Sequence, residues 1–362
     1  MKYIPKNTFL YREVTNHITI PLGFKKDIPP VSPSVAGLFL TKKCNSRCKI
    51  CEYWKNKNFH DELTSKDWFE VIDQLKESGI KIINFTADGE IFTRKDAFEI
   101  MHYAKQKGLQ ISVNTNGLVM DRYIDQLLNL NPMQIQISLD AFDDNLYESI
   151  RGVSHGFSRV KQGIMDLKHR GYNKISVGSV LTIDNLDELP LLQNFCIEQG
   201  FTYRVTAFQF QGFNVDNRQL RNLYRTKGFL HKLDKTIDVL CSKPMNNTEI
   251  YLKAIKNYYL EDKYHPLDCI VGHHKIFILP DGDVSLCNMM RKNAVIGNVL
   301  SGHSLIELWT SERAKEVRRD IRLKKCPSCW LSCFAEDNIR FSPRHMITQL
   351  PYFVKKAVRL LG

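Results

Sequence analysis

TKKCNSRCKICEYW, residues 41–54, sets three cysteines within eight positions, Cys44, Cys48 and Cys51, in the spacing C-x3-C-x2-C. A zinc knuckle pairs C-x2-C with a second such pair to complete four ligands. Here no fourth partner lies within easy reach, although His60 follows nine residues after Cys51. A four-iron cubane held by three thiolates keeps one iron open to a further ligand. The motif directly follows VAGLFL (35–40), an apolar run that reads as a buried strand. The three thiols therefore belong to the loop after a first strand.

From that strand onward, short apolar runs alternate with longer amphipathic ones. TSKDWFEVIDQLKESG (64–79) has Thr64 at an N-cap position, apolar residues at helical spacing and a glycine stop. KIINFT (81–86), LQISVNT (109–115), MQIQISLD (133–140), KISVGSV (174–180) and FTYRVTA (201–207) read as strands. DAFEIMHYAKQKG (96–108), RYIDQLLNL (122–130), FSRVKQGIMDLKHRG (157–171) and LDELPLLQNFCIEQG (186–200) read as the helices between them. Such alternation predicts an α/β fold with a parallel sheet. Six units, or five and a half, fall short of the eight that close an ordinary barrel. The expected architecture is a partial (β/α)6 TIM-like barrel over 35–207, its ligand at the C-terminal ends of the strands.

Beyond residue 207 the alternation stops. Residues 208–268 read as a bridging helical segment. Residues 269–340 read as a small α+β cluster-binding domain, with KIFILPDGDVSLC (275–287) as a hairpin turning at Asp-Gly and SLIELWTSERAKEVRRDIR (304–322) as a helix. A unit this small profits from a metal staple. Residues 1–34 form an N-terminal extension. Residues 341–362 form a basic amphipathic tail that docks on the body or makes weak membrane contact.

Eight of the ten cysteines fall in two groups, the first three and then Cys269, Cys287, Cys326, Cys329 and Cys333. This is no secreted disulfide framework. The opening residues lack a signal peptide's apolar stretch, and no long apolar run occurs, so the expected location is the cytoplasm. Fifty-one Lys and Arg against 39 Asp and Glu give a formal charge of +12. The basic residues are dispersed and not interleaved with aromatics, which argues against nucleic acid and leaves room for an anionic substrate.

The motif and its place after the first strand resemble the radical S-adenosylmethionine superfamily. The resemblance implies that Cys44, Cys48 and Cys51 hold a 4Fe–4S cluster and that S-adenosylmethionine chelates the open iron. Reductive cleavage then yields a 5′-deoxyadenosyl radical that takes a hydrogen atom from substrate. Further segments extend the likeness. Ile50 matches the apolar position beside the adenine. TADGEIFTR (86–94) resembles the segment that binds the methionyl amino group, with Ala87, Asp88, Gly89 and Glu90 at the contact positions and Ile91 where proline is usual. SVNTNG supplies Asn114 and Asn116, SLD supplies Ser138 and Asp140, and SIRG supplies Arg151. Ser179, in VGSV, and Val205 match the remaining cofactor walls.

The later cysteines resemble the SPASM extension of the same superfamily, or its shortened Twitch form. Five thiols after the barrel suit one auxiliary 4Fe–4S cluster with one cysteine to spare. The interval from Cys269 to Cys287 followed by C-x2-C resembles the single-cluster form, which makes Cys326 and Cys329 the other ligands. The C-x3-C ending in Cys333 resembles full-length members, where the last thiol returns to the first auxiliary cluster. Both assignments stand at this point, beside a structural zinc.

By the same resemblance the expected activity is that of an oxidoreductase or epimerase, served by a reducing partner such as flavodoxin or ferredoxin. Cys241 is the candidate hydrogen-atom donor, with Cys196 and the spare tail cysteine behind it. Peptide-modifying members commonly carry a recognition domain ahead of the barrel, for which residues 1–34 leave no space. That favours a small-molecule substrate, a sugar, aminocyclitol or nucleotide-linked compound, over modification of a ribosomally made peptide by thioether formation, carbon–carbon crosslinking or epimerisation. A non-catalytic metal-stapled scaffold is the reading from a different class.

Overall fold

Six strands, β1 (Val35–Phe39), β2 (Ile82–Thr86), β3 (Gln110–Thr115), β4 (Gln134–Ser138), β5 (Ile175–Leu181) and β6 (Thr202–Ala207), pair in parallel and in chain order. This computed structural model describes residues 32–212 and 215–342, with Ile20, Phe24 and Pro29. The expected partial barrel is the one that forms. Its first crossover helix, Ser65–Glu77, opens on a capping box. Thr64 accepts from the Asp67 N–H, and the Asp67 carboxylate accepts from the Thr64 N–H. Trp68, Val71, Ile72 and Leu75 bury one face of that helix.

The expected hairpin also forms, as β9 (Lys275–Ile278) and β10 (Asp283–Ser285), with Gly282 in the left-handed region at φ 84°. It follows a two-residue pair of strands, β7 (Gln211–Gly212) and β8 (Val215–Asp216). β9 lies parallel to β1, Val35 opposite Lys275, and β11 (Val295–Asn298) pairs antiparallel with β10. One nine-stranded sheet results, in the order β11-β10-β9-β1-β2-β3-β4-β5-β6. The C-terminal unit thus covers an edge that β1 would otherwise expose.

Among the described residues, two helices of eight residues or more have no counterpart in the sequence reading. Asp144–Arg151 is only eight residues long, capped by the Asp143 carboxylate and ended by Gly152 at φ 66°. Ser332–Phe341 grows out of the cysteine-rich run, where no helical period is visible. The helix expected over 304–322 is two, Leu305–Thr310 and Glu312–Arg322, with Ser311 closing one and capping the next. Helix Ser332–Phe341 bridges β6 and β9. Ser332 and Thr206 share a hydroxyl hydrogen bond of 2.6 Å, Lys275 pairs with Asp337 at 2.6 Å, and Phe334 meets Phe277 edge-on. With β9 extending the arc beside β1, this helix spans the remaining gap between β9 and β6.

Ile20 and Phe24 are buried with Ile270 and Phe341. The rest of the N-terminal extension up to residue 31, Pro29 apart, and the amphipathic tail from residue 343 lie outside the described residues. Among the described residues no helix is long and apolar enough to cross a membrane.

Candidate active site

Strand ends and loops converge on a cavity of about 350 Å3 lined by Cys44, Cys48 and Cys51. The loop carrying them is tied to the short helix Asp144–Arg151. Arg47 N–H and Ser46 Oγ both donate to the Arg151 carbonyl, at 3.1 and 2.8 Å, and Lys49 N–H donates to the Ile150 carbonyl. Gly152 completes this seam, because a Cβ there would stand 2.7 Å from the Arg47 carbonyl oxygen. The Arg151 guanidinium pairs with buried Asp140 and approaches Cys48 Sγ at 3.9 Å.

Opposite the thiols stands the TADGE loop. Gly89 packs on the backbone of the cysteine loop so closely that a Cβ would fall 1.9 Å from the Lys43 carbonyl oxygen. Glu90 is buried and accepts hydrogen bonds from Thr115 Oγ1 and Asn116 N–H, each at 2.6 Å. Burial pushes its carboxyl up, and these donors oppose the rise. Asn116 Nδ2 in turn donates to Asn45 Oδ1 at 2.7 Å. Glu90 therefore fastens β2, β3 and the cysteine loop together, while Ala87, Asp88 and Gly89 line the cavity.

Of the residues expected at the cofactor, Ile50, Ala87, Asp88, Gly89, Glu90, Asn114, Asn116, Ser138 and Arg151 line this cavity. Three do not. Asp140 lies behind the wall, accepting from Arg151 and from the Val180 N–H. Ser179 points outward and hydrogen-bonds the Leu139 carbonyl, and Val205 is buried under the helices. Strand alternation is the reason: Val180 and Thr206, each one residue on, carry the wall. Cys241 ends helix Lys227–Cys241 beside Glu249 and Lys253 and lines neither this cavity nor the lumen, which removes it from contact with the site. Cys196 is a core residue.

The second cavity, about 450 Å3, runs down the barrel lumen and shares Tyr53, Thr86, Asn114, Gln136 and Thr206 with the first. Its walls mix apolar side chains such as Phe39, Phe277 and Phe334 with the polar Asn84, Ser112, Gln134, Arg204, Lys275, Asn288, Glu336 and Asp337. None of these was singled out from the sequence. The available signal was the period-two placement of polar residues within the strands, as in QIQIS and YRVT.

The later thiols divide. Burial pushes Cys287 up to about 12, with Cys269 and Cys326 adding to the rise, and Cys326 up to about 11, with Cys269 adding. Cys329 is raised by burial and by the proximity of all three. Cys333 stands apart in the lumen, where its charged neighbours are Lys275, Asp337 and Arg204. In the first group burial pushes Cys44 to about 11 and Cys51 to about 12, with neighbouring thiols contributing. Among the described residues no three His, Cys, Asp or Glu side chains stand in metal-ligating geometry, so each group is a gathered donor set rather than a closed cage. As donor sets, three thiols beside an open cavity and four thiols, Cys287 buried and the other three half-buried, both fit iron–sulfur clusters.

A parallel barrel with one thiol triad at an open cavity and a second group of four thiols defines a cluster-dependent enzyme whose chemistry occurs at the strand ends. The chain matches the family model for the radical SAM superfamily over residues 38–196 and that for the SPASM iron–sulfur cluster-binding domain over 269–333, together more than half its length. It belongs to the radical S-adenosylmethionine superfamily and carries a SPASM domain.

Relatives include the sporulation killing factor maturation protein SkfB of Bacillus subtilis, 24% identical over 84% of this chain and 72% of SkfB. The mycofactocin maturase MftC of Mycolicibacterium smegmatis is 25% identical over 80% of this chain and 74% of its own. Streptococcus suis SuiB, solved with its precursor peptide SuiA, shares the fold with a TM-score of 0.61 at 16% identity, over 85% of this chain and 72% of SuiB. The protein is a radical S-adenosylmethionine enzyme that uses a 4Fe–4S cluster, S-adenosylmethionine and auxiliary iron–sulfur chemistry. When bound, the cluster and S-adenosylmethionine supply a carbon-centred radical that abstracts hydrogen.

Proposed function

We propose that this enzyme abstracts a hydrogen atom from one residue of a ribosomally made peptide and so matures it. Similarity along 84% and 80% of the chain to two proteins named for maturation carries the reading. It displaces the small-molecule substrate expected from the sequence, an expectation that rested on the length of chain ahead of the barrel. Peptide recognition by a separate protein removes that objection.

The site is suited to such a substrate. Cys44, Cys48 and Cys51 would hold the catalytic cluster, the 87–89 backbone would receive the cofactor's amino group, and Cys269, Cys287, Cys326 and Cys329 would hold one auxiliary cluster. The lumen amides of Asn84, Asn114, Gln134 and Gln136 offer the donors and acceptors that a polypeptide backbone uses.

The test is anaerobic turnover with S-adenosylmethionine, a reductant and candidate precursor peptides in heavy water. A peptide two mass units lighter signals crosslinking or dehydrogenation, and deuterium gained without a two-electron change signals epimerisation. Release of 5′-deoxyadenosine driven by sugars or aminocyclitols but by no peptide would overturn the proposal.

A further inference from the structure

We infer that the barrel lumen holds a carboxylate of the substrate against Arg204, an inference that rests on the peptide reading above for the identity of the substrate. Arg204 lies on β6 with its side chain in the lumen cavity, directly across from Gly178 of β5, which has no side chain to meet it. Its Nε is buried and has no hydrogen-bond partner among the described residues.

Both nearby carboxylates are already engaged. Asp337 pairs with Lys275 at 2.6 Å, and Glu336 accepts from Thr248 N–H at 2.9 Å and from Asn247 Nδ2 at 3.2 Å. Burial pushes the Glu336 carboxyl up, opposed by its hydrogen bonds from Thr248 and Asn247 and by the neighbouring Arg204 charge. A guanidinium whose Nε has no partner, facing a cavity that also carries polar side chains, is suited to receive a planar anion.

A second group in the same cavity points the same way. Asn288 is only 8% exposed, lines the lumen, and its Oδ1 has no partner. One cation for a carboxylate and one acceptor for an N–H match an aspartyl or glutamyl residue within a peptide, or a peptide's C-terminus.

The experiment is isothermal titration of the cluster-reconstituted enzyme, loaded with S-adenosylmethionine. The probes are N-acetyl-aspartate N-methylamide, N-acetyl-asparagine N-methylamide, N-acetylglycine and inorganic phosphate. The aspartyl probe or N-acetylglycine is expected to bind about tenfold or more tighter than the asparaginyl probe. Whichever of the two binds better identifies the source of the carboxylate as a side chain or a terminus. Arg204→Met should weaken that binding roughly ten- to hundredfold at an unchanged iron content, and Arg204→Lys should restore part of it.

Equal binding of the acidic and neutral probes, binding of phosphate alone, or an Arg204→Met variant with wild-type affinity would overturn the inference. If the carboxylate site responds as expected but no peptide releases 5′-deoxyadenosine, the peptide reading fails and the anion site stands. If peptides react while Arg204→Met binds the acidic probe normally, the reverse holds.

Discussion

Arg291 donates hydrogen bonds of 3.0 and 2.7 Å to the two carboxylate oxygens of Asp88, which lies 203 residues earlier in the chain. Asp88 belongs to the loop that lines the cavity beside Cys44, Cys48 and Cys51, and Arg291 follows Cys287 of the thiol quartet by four residues. The guanidinium also sits 4.7 Å from the centre of the Tyr53 ring, in the segment just after Cys51. This pair joins the two cluster-binding regions, and both of its side chains are almost wholly removed from solvent.

Removing one member of a buried pair strands the other charge, at a cost of about 3–5 kcal/mol. Arg291→Ala should therefore lower the thermal midpoint of the anaerobic holoenzyme and weaken S-adenosylmethionine binding. The double variant Asp88→Ala/Arg291→Ala should recover much of the stability but not the cofactor affinity. Midpoints that fall additively in the double variant would show that the two charges are not coupled.

Iron counting checks the division of the thiols. Reconstituted wild type should carry about eight irons per chain, as two four-iron clusters. Cys44→Ala should leave about four and abolish 5′-deoxyadenosine release, and Cys329→Ala should also leave about four. Cys333→Ala should keep about eight, since Cys333 lies in the lumen outside the quartet. A loss of about four irons from Cys333→Ala would make it a ligand, and stoichiometric zinc in the wild type would replace the cluster assignment altogether.

Gly89→Ala tests the contact between the two loops. A methyl group 1.9 Å from the Lys43 carbonyl oxygen cannot be accommodated without moving one backbone from the other. The expected result is about 3 kcal/mol of destabilisation together with loss of S-adenosylmethionine binding, read by thermal melting and equilibrium dialysis. Unchanged dialysis would mean that the loops part freely.

Cysteine labelling supplies a pH-dependent readout. Burial raises the Cys196 thiol from an ordinary 9.0 to about 12. Because its folded value is raised, the native state favours the protonated form. That preference is fully present below pH 9 and lost only as pH climbs toward 12. At pH 8 native Cys196 should resist iodoacetamide while half-buried Cys241 is modified, with rates followed by mass spectrometry. Rapid labelling of Cys196 at pH 8 would contradict its place in the core.

Much of the barrel was legible in the chain. Capping at Thr64, the glycine stops and the alternation of strand and helix act over a few residues, so local chemistry reveals them. The C-x3-C-x2-C motif, Gly89 and Glu90 were legible for the same reason: the loops that use them are short and contiguous. The helix at 144–151 was not, because eight residues hold too few apolar positions to establish a period. Ser179 and Val205 were misplaced by one residue. VGSV and VTA offer apolar or small side chains to both faces of a buried strand, so inside and outside look alike in sequence.

The sequence by itself determined that three thiols stand in an open loop after a first strand of a parallel α/β barrel, with a second thiol group near the C-terminus. Only the tertiary structure decided that β9 joins the barrel beside β1, that helix Ser332–Phe341 spans the gap between β9 and β6, and that Cys333 and Arg204 face one lumen. It likewise decided that Arg291 reaches Asp88. Each of these joins residues far apart in the chain, and which strand face turns inward depends on a one-residue register that only packing against the rest of the molecule sets.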